Sequence, residues 1–400
     1  MKALLIILIC ILILIFLLLI DFKLGRKKHI SQTQKTTYPK RNSDISLYTS
    51  GPELFEKLFQ DIQQATQYVH ILFFIVKNDK ISQRFTNLLK KKVTEGVEVR
   101  LLLDWGGSLS FSKQTITSLK NAGVKFSFCH LPKFPFFFYS SQERNHRKIT
   151  IIDGKIGYIG GFNIGKEYNN QDKKLNPWRD YHLRLKGEGV QDLEVEFLAD
   201  WLEGSGENIK YKDIFIHEGY KGKHLHQFVP TEGLFLQETF VDLIKQAQNS
   251  IIIGTPYFIP SEKIMNELIY KLKKGVHIQI LVPETSDHIF VKEASFPYFR
   301  TLLSYGAEIY QYQKGFFHAK YLLIDDSILD IGTANFDKRS LFLNHEINCL
   351  IYDSAYIAEV KQEIEMDFKN SSSMSLEQLN KFNIWRSTKE KIAAMIATFL

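Results

Sequence analysis

One short motif occurs twice in this chain, in the same register of a longer repeat. Each copy consists of a His, a Lys two residues later, an Asp five residues after the Lys and an Asn ten residues after the Asp. The two sets are His146, Lys148, Asp153 and Asn163, and His318, Lys320, Asp325 and Asn335. A lone His-x-Lys pair predicts nothing, whereas this whole pattern repeated in register does not arise by chance. The repeat predicts two domain-sized units of similar fold.

The residues around the motif support the duplication. Gly96 and Gly275 each open an apolar run that reads as a strand, and Gly123 matches Gly306. In the first copy, helical spacing alternates with strand-like apolar runs. The predicted helices are 54–65, 81–95 and 115–122, and the predicted strands are 68–76, 97–104 and 124–129. Alternating helices and buried strands predict an α/β fold, with two duplicated α/β sandwich domains.

The N-terminus contains a candidate membrane segment. Residues 3–20 form an unbroken apolar run that is just long enough to cross a bilayer as a helix. The run is followed by the basic residues Lys23, Arg26, Lys27 and Lys28. This cluster predicts that the following chain is cytoplasmic. A cleaved signal peptide is the alternative, which the lack of a small-x-small cleavage site disfavours. We predict a single transmembrane helix at 3–20 and a polar tether at 21–46.

The rest of the chain is long enough for two domains, which we predict at 47–212 and 213–400. The net charge of +7 favours an anionic partner, without distinguishing a phospholipid from a nucleic acid. The three cysteines form no metal-like cluster in the sequence and predict no disulfide framework.

The spacing within each motif predicts a phosphate site. Side chains alternate across a strand, so His146 and Lys148 share one face, as do His318 and Lys320. The lysines can neutralise phosphate oxygens, and the amides of Asn163 and Asn335 can donate hydrogen bonds to them. One histidine can attack phosphorus while the other serves as general acid and base. We expect this chemistry to need no metal and no cofactor.

Carboxylates are predicted in two further roles. Asp153 and Asp325 fall on the opposite strand face from their histidines, which predicts a structural role in the turns. Asp180 and Glu346 occupy corresponding places after the two motifs. We predict that they lie behind the imidazole rings and fix their tautomer and orientation.

An aromatic segment in the first copy has no counterpart in the second. Residues 134–139 contain four Phe, one Tyr and a Pro. Two interpretations stay open, a loop that fills a local core and a hydrophobic flap that contacts lipid.

The motifs resemble the paired HKD motifs of the phospholipase D superfamily. Arg144-Asn-His-Arg-Lys-Ile, Trp178-Arg-Asp-Tyr-His and Gly332-Thr-Ala-Asn-Phe-Asp-Lys-Arg-Ser are similar to those of bacterial cardiolipin synthases. The resemblance counts Asp153 and Asp325 with the histidines and lysines as catalytic-motif residues. It implies a bilobal monomer with one active site between its lobes, without metal. One apparent span stands where longer members usually have two.

The resemblance also implies a reaction and its partners. The expected reaction is reversible phosphatidyl transfer between two phosphatidylglycerol molecules in the cell membrane, giving cardiolipin and glycerol through a phosphohistidine. Family tendency favours His146 as the nucleophile. We expect no nucleic acid as partner. A phospholipase D hydrolase or another phosphatidyltransferase is the alternative, and a phosphodiesterase nuclease is a weaker one.

Overall fold

The computed structural model describes residues 1–210, 220–381 and 383–396. The helices are α1 (Lys2–Gln32), α2 (Gly51–Gln63), α3 (Lys80–Thr94), α4 (Lys113–Asn121), α5 (Phe137–Gln142), α6 (Val190–Ser205), α7 (Leu236–Gln246), α8 (Glu262–Lys273), α9 (Val291–Ser304), α10 (Lys338–Phe342), α11 (Ser354–Lys369), α12 (Leu376–Asn380) and α13 (Ile384–Ile396).

The strands fall into two sets that follow the sequence repeat. The first set is β1 (Arg41–Ser50), β2 (Tyr68–Phe73), β3 (Glu98–Asp104), β4 (Lys125–Cys129), β5 (Arg144–Asn145), β6 (Ile149–Ile152), β7 (Ile156–Gly160) and β8 (Trp178–Gly187). The second set is β9 (His224–Glu232), β10 (Ser250–Gly254), β11 (His277–Pro283), β12 (Glu308–Tyr312), β13 (Phe316–Phe317), β14 (Tyr321–Ile324), β15 (Ile328–Gly332), β16 (Asn344–Ile351) and β17 (Ser371–Ser373).

The two halves have the same sheet topology. In the first half, β4, β3 and β2 are parallel, and β6, β7, β8 and β1 continue antiparallel. In the second half, β12, β11 and β10 are parallel, and β14, β15, β16 and β9 continue in the same way. The halves join where β1 pairs with β9. This repetition confirms the predicted duplicated α/β architecture.

Local sequence explains matching elements in both halves. The side chain of Asp79 caps the start of α3, and the side chain of Ser261 caps the equivalent α8. Gly96 and Gly275 both have φ of 85°, a left-handed conformation that carries the chain from each helix into the next strand. Buried apolar side chains between these helices and strands form a separate core in each half. The six predicted elements of the first copy are therefore confirmed, with ends shifted by a few residues.

The strand predicted at 68–76 ends earlier, at Phe73. Beyond it, the backbone N–H of Ile75 donates to Asn163 Oδ1 at 3.0 Å, so a side chain replaces the strand partner. Val76 then forms only a single bridge to Ile164. The motif asparagine therefore ends the strand.

The polar tether predicted at 21–46 is wrong for residues 21–32 and 41–46, which form regular secondary structure. Helix α1 continues to Gln32, and β1 begins at Arg41 and pairs with β8 and β9. Polar strand residues can be buried when they are hydrogen-bonded, as Ser43 is by Gly189 N at 3.0 Å. Composition alone therefore misidentified this segment. The boundary predicted at 212–213 lies outside the described residues, and the division into two domains stays a prediction.

Among the described residues, α1 is the one helix that is long enough and apolar enough to cross a membrane. None of the residues in its most apolar window is buried. Its 31 residues extend about 46 Å, against roughly 30 Å of bilayer hydrocarbon. The C-terminal part beyond the apolar run contacts the body, where Arg26 Nη1 donates to Gly233 O at 2.8 Å. Helix α1 is therefore fixed to the body rather than loosely tethered.

The aromatic segment fits both interpretations in part. Tyr139 is buried against α1, where its backbone N–H donates to Asp21 Oδ1 at 2.8 Å and its ring lies 5.4 Å from that of Phe22. Phe134 and Phe137 are 86% and 50% exposed. One side of the segment thus packs against α1, and the other presents apolar rings outward.

Candidate active site

Two short strands bring the motif histidines together from opposite halves. Strand β5, just before His146, pairs in parallel with β16 of the second half. Strand β13, just before His318, pairs in parallel with β8 of the first half. The pairing continues at the histidines themselves, since His146 N donates to His345 O at 2.9 Å and His318 N donates to Arg179 O at 2.7 Å. Each motif histidine therefore follows a short strand that pairs with a strand of the other half.

The ring of His146 is held by a carboxylate from the second half. Its Nδ1 lies 2.9 Å and 3.1 Å from the two carboxylate oxygens of Glu346. The same carboxylate accepts from the hydroxyls of Thr333 at 2.6 Å and Ser340 at 2.9 Å. These bonds orient Glu346 as an acceptor, which favours the His146 tautomer that carries its proton on Nδ1 and leaves Nε2 free.

The ring of His318 is held in the same way from the first half. Its Nδ1 lies 2.7 Å from Asp180 Oδ2, and Asp180 Oδ1 accepts from the backbone N–H of Tyr181 at 2.8 Å. The sequence predicted both orienting carboxylates, and the structure places them behind the rings. It adds that each carboxylate serves the histidine of the opposite half.

Sequence reasoning missed the hydroxyls that support Glu346. Thr333 stands in the second motif where the first has Gly161. A Cβ at Gly161 would lie 2.0 Å from Asp180 Oδ1. The Asp180 carboxylate therefore occupies the space that a side chain at position 161 would need. The Gly-to-Thr difference between the copies was the available signal. The aromatic rings of Phe74 and Trp178 were also missed, and they lie 4.9 Å from the rings of His146 and His318 respectively.

Both motif lysines are buried beside their histidines. Lys148 Nζ donates to His146 O at 2.6 Å, and Lys320 Nζ donates to His318 O and lies 2.5 Å from His318 Nδ1. Burial lowers the pKa of Lys148 to about 7, and burial also lowers the pKa of Lys320. Because burial disfavours the charged form of both lysines, a bound anion would stabilise their ammonium groups.

The pKa values of the two motif histidines and of their two carboxylates favour neutral rings and ionised carboxylates. Burial, together with Lys320, lowers the pKa of His318 to about 4, and burial lowers the pKa of His146 against the opposing effect of Glu346. Burial alone would raise the pKa of Asp180 and Glu346. Lys320 and His318 outweigh it at Asp180, and His146 with Lys148 outweighs it at Glu346, so both pKa values fall.

The two motif asparagines are buried and already bonded. Asn163 receives the Ile75 N–H on its oxygen and donates to Tyr168 Oη at 3.3 Å. Asn335 Nδ2 donates to Asp337 Oδ2 at 3.2 Å, while its Oδ1 has no hydrogen-bond partner among the described residues. Each amide has one further N–H, so phosphate binding by Asn163 and Asn335 stays a prediction.

The motif aspartates do not join the histidines. Asp153 accepts the backbone N–H groups of residues 66–68 at 2.8–2.9 Å, and Asp325 accepts those of residues 248–250 at 2.5–2.8 Å. Each aspartate thereby ties a hairpin turn to the start of the first parallel strand in its half. The structural role predicted from strand alternation fits these contacts, and the assignment of Asp153 and Asp325 to the catalytic set stays a prediction.

The duplicated halves and the exchanged histidine–carboxylate pairs define a protein of the phospholipase D class. The fold is similar to that of a phosphatidylserine synthase of Haemophilus influenzae, with a TM-score of 0.72 over 94% of this chain and 99% of that one, at 16% identity. A family model described as "Cardiolipin synthase, PLD-like domain" matches residues 58–201 and 240–370.

Relatives that are similar in sequence identify the family within this class. The chain is 43% identical to a minor cardiolipin synthase of Bacillus subtilis over 100% of both chains. It is 38% identical to a cardiolipin synthase of Oceanobacillus iheyensis, over 90% of this chain and 76% of that one. The chain belongs to the cardiolipin synthase family of phospholipase D-like phosphatidyltransferases, and α1 fits the membrane association of such an enzyme.

Proposed function

We propose that this enzyme transfers a phosphatidyl group from one phosphatidylglycerol to a second, releasing cardiolipin and glycerol. The observation that carries the proposal is the pair of buried histidines, each held through Nδ1 by a carboxylate of the opposite half. Full-length similarity to a protein named as a cardiolipin synthase supports the choice of substrate.

The first step forms a phosphohistidine. Nε2 of His146 attacks the phosphorus of a bound phosphatidylglycerol, and the bond from phosphorus to the glycerol oxygen breaks. His318 gives its proton to that oxygen, so glycerol leaves as a neutral alcohol. The positive charge that develops on the His146 ring is stabilised by Glu346 at 2.9 Å.

The second step releases cardiolipin. The free glycerol hydroxyl of another phosphatidylglycerol attacks the phosphorus while His318 takes its proton, and the bond from phosphorus to His146 breaks. One phosphodiester has replaced another, so the exchange is close to neutral in energy and needs no nucleotide. Lys148 and Lys320 neutralise the phosphate oxygens, and we predict that no metal takes part in this chemistry.

The choice of His146 as nucleophile rests on the family resemblance. The pKa of His318 is lowered to about 4 and would favour the neutral ring there, because Lys320 lies against it. A phosphate bound between the lysines would draw that ammonium towards its oxygens and raise the pKa of His318. Mapping the phosphorylated peptide after quenching in alkali, where phosphohistidine survives, decides between the two rings. Phosphate on His318 would reverse the roles.

We also propose how the enzyme meets its substrate. The basic residues after the apolar run support a cytoplasmic position for the body at the cell membrane, and phosphatidylglycerol in the bilayer is the proposed partner. The two halves of one chain already supply both histidines and both carboxylates, which supports activity as a monomer. No nucleic acid is expected as a partner.

The test is incubation of the purified chain with phosphatidylglycerol in detergent, followed by lipid analysis. Cardiolipin and glycerol in equal amounts are expected, whereas phosphatidic acid would indicate a hydrolase. His146→Ala and His318→Ala should each abolish turnover without loss of fold. His226→Ala removes another buried histidine, bonded to Ser43 at 2.9 Å, and serves as the control. Wild-type product formation by either active-site variant contradicts the mechanism.

A further inference from the structure

A cluster of three potential metal ligands lies where α1 meets the body. His29, Glu143 and His345 each offer a ligand atom, and these atoms lie within 4.8 Å of one another. His29 Nδ1 is 2.7 Å from Glu143 Oε1. In the part of the chain that the structure describes, this is the one group of three His, Cys, Asp or Glu side chains arranged in this way. It comprises one residue of α1, one of the segment before β5 and one of β16.

The third member of the cluster is not explained by hydrogen bonding. His345 is 7% exposed, and its Nδ1 has no hydrogen-bond partner among the described residues. An unpaired buried ring nitrogen is costly, and this one lies within reach of two further ligand atoms. The contact between His29 and Glu143 would dock α1 by itself, but it leaves the His345 nitrogen without a function.

We propose that His29, Glu143 and His345 bind a divalent transition-metal ion of the zinc type. Two imidazoles and one carboxylate are a ligand set that suits Zn²⁺, with a fourth position left for water or another oxygen. Ligand atoms around a tetrahedral zinc lie roughly 3.4 Å apart, so side-chain rotation of about 1 Å closes the site. The hydroxyl of Tyr139, 2.6 Å from His29 Nδ1, is the nearby oxygen.

The charges around the cluster permit a cation. The buried guanidinium of Arg144 lies near it but is paired with Asp104 at 3.2 Å. Arg147 is likewise paired with Glu196 at 2.8 Å and Asp200 at 2.9 Å. These two arginines are neutralised by their own carboxylates, and Arg26, which lies beside Tyr139, donates to Gly233 O, so Glu143 keeps its contact with His29.

An ion at this position would connect the membrane helix to the catalytic strand. His345 precedes Glu346, and its carbonyl accepts the backbone N–H of His146 at 2.9 Å. The metal would therefore hold α1 against the segment that orients the first catalytic ring. Its role is structural, no step of phosphatidyl transfer passes through it, and the inference does not depend on the proposed reaction.

The experiment titrates Zn²⁺ into the full-length chain in detergent after chelation, with a chromogenic chelator as competitor. We expect one zinc per chain, retained on desalting, with binding weakened more than roughly tenfold in His29→Ala and in Glu143→Gln. His277→Ala is the matched control, because His277 pairs with Glu308 at 3.1 Å on the surface without a third ligand. That variant should bind zinc as the wild type does.

Thermal unfolding gives a second measurement that does not depend on lipid turnover. Zinc should raise the unfolding temperature of the wild type and of His277→Ala but not that of Glu143→Gln, which keeps the size of the side chain. Absence of stoichiometric zinc in the wild type would overturn the proposal. Zinc binding by His29→Ala and Glu143→Gln that is as tight as that of the wild type would overturn it too. An enzyme that binds zinc but makes no cardiolipin would contradict only the proposed function.

Discussion

Glu346→Gln should disable His146 while leaving the chain folded. The glutamine keeps the length and shape of the side chain, so the hydroxyls of Thr333 and Ser340 retain an acceptor nearby. What changes is the charge behind the ring. If the new amide N–H faces Nδ1, the imidazole proton moves to Nε2, and the nitrogen that should attack phosphorus is no longer free.

The size of the effect follows from the distance between Nδ1 of His146 and the Glu346 carboxylate. Opposite unit charges at 2.9 Å attract each other by about 6 kcal/mol at an effective dielectric constant of about 20. If about half of the charge has developed on the ring in the transition state, the loss is about 3 kcal/mol. That corresponds to a roughly 100-fold decrease in kcat, and the tautomer change adds to it.

The assay compares this variant with Glu194→Gln. Glu194 Oε1 lies 2.6 Å from His70 Nδ1, and both side chains are fully buried and contact neither motif histidine. The control therefore removes the same charge from the same kind of pair. Initial rates of cardiolipin formation give kcat and KM, and thermal unfolding reports folding. Both variants should lose similar stability, but only Glu346→Gln should lose the roughly 100-fold in kcat.

Two results would refute the reasoning. A kcat for Glu346→Gln within about threefold of wild type would mean that the carboxylate does not act on the transition state. An equal loss of kcat in Glu194→Gln would mean that the effect reports general destabilisation and says nothing about His146.

Two other outcomes are expected. Replacing Phe134 and Phe137 with Ser should reduce turnover on bilayers more than on a short-chain soluble substrate, because both rings are exposed beside α1; equal loss on both would rule out membrane contact. Asp153→Ala should lower the free energy of unfolding in urea by about 2 kcal/mol, because the backbone donors of residues 66–68 lose their acceptor, while kcat stays within about threefold of wild type. A large loss of kcat in a stable protein would support a catalytic role for Asp153.

Sequence predicted the duplicated fold because duplication leaves paired signals. Gly96 and Gly275, or Lys148 and Lys320, occur in register, and each constrains the interpretation of its counterpart. The motif strands were equally visible as short apolar runs that are buried on both faces. Site residues followed from chemistry once the two copies were aligned.

The exchange between halves could not be predicted from the sequence. Strands β5 and β13 are two residues long, too short to show alternation, and their partners are remote in the chain. The assignment of 41–46 to a tether failed for a related reason. Ser43 is polar but buried, because its hydroxyl is bonded to Gly189 N and to His226, and no local pattern reveals such partners.

In the proposed mechanism, the exchange makes each half incomplete as a catalyst. The first half contains His146 and Lys148 but not the carboxylate that orients the ring, and the second half lacks Asp180 for His318 in the same way. The strands that deliver the histidines also form the contacts between the halves, so one set of hydrogen bonds determines both docking and ring orientation. Separation of the halves would therefore remove both orienting carboxylates at once. It follows that the docked arrangement of β5 on β16 and β13 on β8 is itself a condition for the chemistry, which a single half cannot meet.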